Sequence, residues 1–214
     1  MRKRAAFITI GESPRPDILD EMRPWWSRTD TILEVDELGA LDGLSEADVT
    51  ALAPANGEER LVSRRRDGSE VLLRADWIHD RVAELVAACD DDAYDFIVLL
   101  CTGKFESLST SLLLVKAQAI VDQGISAFAQ ASSRIGVLVP VPEQQSGFDF
   151  TSSHASPYSG DRFETAAREL EGADLIVMHC MGYTEPMRSR VATLTGKPVL
   201  LARRMVAAAV AQLV

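Results

Sequence analysis

The sequence predicts an α/β fold with a mostly parallel sheet flanked by helices, and three observations predict it. Short, continuously apolar runs alternate with stretches of helical period, the pattern of parallel strands covered on both faces. Two of these runs end alike: Phe96-Ile97-Val98-Leu99-Leu100 leads into Cys101-Thr102-Gly103, and Asp174-Leu175-Ile176-Val177-Met178-His179 leads into Cys180-Met181-Gly182. A two-residue turn, Asp67-Gly68, joins Arg60–Arg66 to Glu70–Arg74, which reads as a β-hairpin inserted near residues 60–75.

Taken in order, Ala5–Ile10 reads as a buried first strand, and Gly11 to Asp17 as the loop after it. A helix is expected near Pro16, because proline has no N–H to leave unpaired in a first turn. Thr31–Val35 is a second strand, and Ser45 caps the helix that follows. After the hairpin, Asp76 is the expected cap of a helix whose stripe of Ile78, Val82, Leu85, Val86 and Cys89 faces the core. From Cys101 to about Gln123 the chain reads as helical or irregular, with a helix start near Ser107. Ile135–Val139 is a strand closed by Pro140 and Pro142, and Glu143–Gly160 reads as an exposed loop without a period. Asp161–Glu171 is helical and the second cysteine strand follows. A helix from Glu185, a short strand Lys197–Leu201 and an apolar closing helix Met205–Val214 complete the chain.

The 214 residues suffice for one sizeable domain or two packed lobes. A net charge of −10 argues against a nucleic-acid partner, and the triplets Arg2-Lys3-Arg4 and Arg64-Arg65-Arg66 are too short to reverse that. No apolar run approaches the length of a membrane span, so no membrane association is expected. Three cysteines without framework spacing fit free thiols in a reducing compartment, and a cytoplasmic location is the expectation. A homodimer is the base-rate oligomer.

Open α/β sheets bind ligands just beyond the carboxyl ends of their strands, which is where Cys101 and Cys180 stand. Cys89 falls on a helix stripe and is read as core. A helix amino end near Cys101 would draw its pKa toward neutrality. Two such thiols suit proton transfer at a carbon beside a carboxylate, one removing a proton and the other returning one. Backbone N–H groups around Gly11, Ser13, Thr102, Gly103, Gly182, Tyr183 and Thr184 are candidates to hold the carboxylate, with Arg15 and Lys104 adding charge. His79, His154 and His179 lack metal-ligand spacing, and His179 should face away from Cys180. No dinucleotide or triphosphate loop is present, so dinucleotide and triphosphate binding are disfavoured.

The motifs Ile8-Thr9-Ile10-Gly11-Glu12-Ser13-Pro14-Arg15-Pro16-Asp17, Leu61-Val62-Ser63-Arg64 with Asp67-Gly68, Leu99-Leu100-Cys101-Thr102-Gly103-Lys104-Phe105, Val137–Glu143, and Met178-His179-Cys180-Met181-Gly182-Tyr183-Thr184 together resemble the AroM family. That family is similar to the aspartate/glutamate racemase superfamily. The resemblance implies two pseudo-symmetric lobes with the site between them, here 1–118 with 201–214 and 119–200. It implies one thiol per lobe, no cofactor, and a small carboxylate or amino acid as ligand. It points to a racemase or isomerase working through Cys101 and Cys180. A single-cysteine decarboxylase or cis–trans isomerase, and a carboxylate-binding regulatory protein without turnover, are the alternatives. The stretch Glu143–Ser156 departs from the family pattern in being short and lacking a helix after Val139.

Overall fold

Four parallel strands, β1 (Arg2–Thr9), β2 (Ile32–Gly39), β5 (Phe96–Leu99) and β6 (Leu113–Lys116), form a sheet of order β2-β1-β5-β6. A second parallel sheet contains β7 (Ile135–Val139), β8 (Thr151–His154), β9 (Leu175–Met178) and β10 (Val199–Leu201) in the order β10-β9-β7-β8. Read from the opposite edge the two orders coincide, so β7, β8, β9 and β10 correspond to β1, β2, β5 and β6. The computed structural model describes residues 1–91, 93–106, 108–131 and 134–214.

Side chains alternate strictly across each strand. Ala5, Phe7, Phe96 and Val98 of the first sheet and Ile135, Val137, Val139 and Val177 of the second all face one shared core. Helices α4 (Ala117–Ala129) and α7 (Ala202–Ala211) fill that core through Val121, Ile125, Val206 and Val210. Gly124 lets the two helices approach, since a Cβ there would collide with Cε of Met205. The outer face of the first sheet, Ala6, Ile8, Ile97 and Leu99, is covered by α3 (Ala75–Ala88) through Ile78, Val82 and Val86. The outer face of the second, Leu138, Ile176 and Met178, is covered by α5 (Phe163–Glu169) and by Val191 of α6 (Glu185–Thr195). Cys89 is 1% exposed in the outer core, as its stripe predicts. Two short helices, α1 (Pro16–Met22) and α2 (Glu46–Ala51), flank β2, and Ser45 caps α2 with a reciprocal Ser45–Asp48 capping box.

Several expectations are corrected. Helix α3 starts at Ala75, with Asp76 inside its first turn rather than capping it. The segment after Cys101 carries strand β6 and then α4. Ser107 lies outside the described residues, and residues 108–112 are not helical. The stretch 143–160 is not simply a loop: a 3-10 turn, Pro142–Gly147, is followed by β8 and then by chain that returns to the centre of the molecule. That 3-10 turn stands where α1 stands in the first half, so the missing helix is a real difference between the halves. The expected hairpin insertion is present as β3 (Arg60–Arg64) paired with β4 (Glu70–Arg74), and its Leu61, Val62 and Ser63 reach the carboxyl ends of strands from both sheets. Among the described residues no helix is long and apolar enough to cross a membrane.

Candidate functional site

Strands β5 and β9 end at equivalent points, where Leu100 N–H donates to Ile8 O and His179 N–H donates to Leu138 O, both at 2.8 Å. In each case the next residue is the cysteine: Cys101 follows Leu100 and Cys180 follows His179. In both Cys-x-Gly turns the glycine two residues on donates its N–H back to sulfur, Gly103 to Cys101 and Gly182 to Cys180, at 3.3 Å each. Both thiols line one cavity of about 30 Å³, room for one or two waters. Thr102 and Gly103 share its wall with Gly182, and Leu61, Val62 and Ser63 of the hairpin close it over.

Arg15 enters the same cavity and is only 4% exposed. Its guanidinium grips Asp17 in a fork, Nε to Oδ1 and Nη2 to Oδ2 at 2.8 Å, and Nη2 also donates to Tyr158 Oη at 3.2 Å. Arg64 of the hairpin reaches Asp17 at 3.4 Å. Arg203, 1% exposed, pairs with Glu21 and donates to the carbonyls of Met181 and Gly182 behind Cys180. Each of these guanidiniums is paired with a carboxylate, and Arg15 and Arg203 still act on Cys180 as positive charges.

The thiols are not drawn toward neutrality. Burial pushes Cys101 up to about 12, only partly opposed by the Gly103 N–H, and a charge on Cys180 pushes it further. Burial raises Cys180 too, but there the Gly182 N–H and the charges of Arg15 and Arg203 oppose it. Among the described residues the chain after Cys101 forms no helix before α4, so the expected source of acidity is not found there. Of the two, Cys180 is the better placed to carry negative charge. Burial likewise raises Tyr158, so its hydroxyl is a hydrogen-bonding group rather than a base.

Of the residues singled out in the sequence, Cys101, Cys180, Arg15, Thr102, Gly103 and Gly182 therefore meet at one cavity. The others do not line it. Gly11 lies under the hairpin, where a Cβ would come within 2.8 Å of Arg64 O. Ser13 is tied to Asp42 through both its N–H and its hydroxyl. Tyr183 is fully buried behind the site and donates to Ala155 O at 2.7 Å. Thr184 caps α6, accepting from Met187 N–H. Lys104 is exposed and lines a separate, larger chamber. His179 turns away from Cys180 as strand alternation requires, and its Nε2 meets Asp122 Oδ1 at 2.8 Å. Among the described residues no group of three or more His, Cys, Asp or Glu is arranged to hold a metal ion.

Sequence reasoning missed Tyr158, Arg203 and the hairpin's Leu61–Ser63. Arg203 left a signal, a charged residue at the start of an otherwise apolar helix. Tyr158 left little more than an aromatic ring in a Ser-rich stretch.

The family model described as "AroM protein" matches residues 5–214. No curated protein matches the chain. Solved structures that are similar include the maleate cis-trans isomerase of Nocardia farcinica, 15% identical, covering 99% of this chain and 92% of that one at a TM-score of 0.58. The glutamate racemase of Aquifex pyrophilus is 14% identical over 99% of this chain and 84% of that one, with a TM-score of 0.58. An arylmalonate decarboxylase is 12% identical over 99% and 92%, with a TM-score of 0.54. At such identities the likeness establishes a shared fold.

Proposed function

The chain belongs to the AroM family, and from that premise we propose that it is a cofactor-independent isomerase of racemase type, moving a proton at the α-carbon of a carboxylic acid. The single observation that carries the reading is that Cys101 and Cys180 follow equivalent strands of two related sheets and line one cavity. The lobes that would face each other are 1–118 with 201–214 and 119–200. In this reading the ligand's carboxylate sits toward Arg15, whose positive charge offsets that of an enediolate.

In this reading Cys180, as thiolate, removes the α-proton, and the C–H electron pair moves into the carboxylate to give the enediolate. The Cys101 thiol, held protonated by burial, then delivers its proton to the opposite face of the same carbon. The cycle ends with Cys180 as thiol and Cys101 as thiolate, and the reverse reaction restores the first form.

The electrostatic asymmetry of the pair favours a second reading. A thiolate at Cys180, supported by Arg15 and Arg203, could act alone by adding to an activated double bond. In the Nocardia farcinica maleate cis-trans isomerase a succinylcysteine intermediate is covalently bound.

The discriminating experiment follows incorporation of solvent deuterium at the α-carbon of a panel of amino and hydroxy acids by NMR. Two-thiol chemistry requires that Cys101→Ala and Cys180→Ala each abolish inversion at the α-carbon, read by chiral chromatography, even where the remaining thiol still exchanges the proton on its own face. Turnover surviving in Cys101→Ala but not in Cys180→Ala selects the single-thiol route. Tight binding with no exchange in the unaltered protein overturns the proton-transfer reading, and if an unsaturated dicarboxylic acid is not isomerised either, a carboxylate-binding regulator is left.

A further inference from the structure

The thiol cavity has a larger neighbour. Beside it lies a chamber of about 760 Å³ that shares Leu61, Thr102, Gly103 and Gln144 with the thiol cavity as a common wall. Only side chains of Leu61, Thr102 and Gln144 contribute to that wall besides backbone, since Gly103 has none. The apolar part of its lining is Leu61, Ile125, Phe148 and Phe150. Phe148 lies edge-on to His179 with ring centroids 4.9 Å apart.

Charge divides the two spaces. The thiol end holds Arg15, close to Arg64 and Arg203, and so favours an anion. The chamber carries four carboxylates, Glu58, Glu59, Asp122 and Glu143, against Arg60 and Lys104. Arg60 is already paired with Glu143, and Asp122 is engaged by His179 and Gln118. A second carboxylate on the ligand would meet this anionic excess, whereas an apolar group would meet the phenylalanines.

We infer that the chamber is the binding site for the α-substituent, and that the ligand is a monocarboxylic acid bearing a bulky, aromatic-sized apolar group rather than a small dicarboxylic acid. The inference rests on the reading of the thiol cavity as the carboxylate end. The 30 Å³ cavity holds the carboxylate and the reacting carbon at most. The remainder of the ligand passes between Leu61 and Gln144, whose side chains must part to admit it.

The test is calorimetric titration of the intact protein with alanine, leucine, phenylalanine and glutamate. Phenylalanine should bind at least about tenfold more tightly than alanine, with leucine between and glutamate no tighter than alanine. Ser126→Trp, which places a ring in the chamber from the exposed side of α4, should collapse the phenylalanine preference. Phe148→Ala should reduce it severalfold by removing a wall. Leu194→Trp, in a groove on the far surface, should leave it unchanged. Equal affinities, a preference for glutamate, no binding at millimolar concentrations, or indifference to Ser126→Trp would each overturn the inference. Because binding is read without turnover, a phenylalanine preference without deuterium exchange sinks only the proton-transfer reading. Exchange without that preference sinks only the chamber.

Discussion

Replacing Arg15 by Met removes the charge at the centre of the site while keeping most of the aliphatic stem. The cost follows from what is left behind. Breaking a fully buried pair by deleting one partner costs about 3–5 kcal/mol, because the other charge stays desolvated. Asp17 is 22% exposed and keeps Arg64 at 3.4 Å, so about 2–3 kcal/mol is expected at pH 7, a factor of about 30 to 150 in the folding equilibrium. The pH dependence has a definite sign. Burial raises the Asp17 carboxyl, but the hydrogen bonds and charge of Arg15, with Arg64 and Arg203, outweigh it and hold it below the ordinary carboxylate range. A depressed carboxyl stabilises the fold above its unfolded pKa and loses that contribution as pH falls through the folded value. The gap between the unaltered protein and Arg15→Met should therefore narrow as pH is lowered from 5 toward 3. Urea unfolding followed by tryptophan fluorescence measures it, with Arg15→Met/Asp17→Leu as the control. The double variant should be clearly more stable than the sum of the single losses predicts. Strict additivity, or a gap that widens in acid, would refute the idea that the fork holds a desolvated carboxylate.

Gly182→Ala should cost about 1–3 kcal/mol, since its Cβ would lie 2.6 Å from Tyr158 Cζ and 2.8 Å from Pro157 Cγ. The loss should shrink in a Tyr158→Ala background, and an equal loss there would show that the tyrosine is not the obstacle. Thr184→Ala should lower stability by about 1 kcal/mol by uncapping α6; an unchanged melting temperature would remove the cap from the account. At pH 8 iodoacetamide should modify Cys180 before Cys101, as peptide mass spectrometry would read. With its thiol pushed up to about 12, Cys101 should react about a thousandfold more slowly than an exposed cysteine, and the reverse order would contradict the assigned asymmetry.

What the sequence made legible follows from how each element is stabilised. Strands β5, β7 and β9, and β1 from Ala5 to Ile8, are central and buried on both faces, so each reads as an apolar run, while the start of β1, Arg2-Lys3-Arg4, projects beyond the core. Strand β6 was hidden because Leu112–Val115 runs directly into the apolar period of α4, and a short strand and a helix turn look alike there. Strand β8, Thr-Ser-Ser-His, has no apolar face to announce it. Its buried Ser153 is satisfied by Glu169, a partner sixteen residues away that no local pattern reveals. The paired Cys-x-Gly turns were legible because the motif recurs. Arg15 reads as a surface residue until its fork to Asp17, two residues on, is seen to neutralise it in place. Tyr158 could not be found locally, since it reaches the site only by the chain's return after β8.

One contact has a reach beyond its size. The Thr102 hydroxyl donates to the carbonyl of His179 at 3.1 Å, so the residue after one sulfur is bonded to the residue before the other. This is a tie-bar across the jaws, and it sets their gape locally rather than leaving it to the drift of whole halves. Removing that hydroxyl would free the two turns from each other while the core shared by both sheets stays in place.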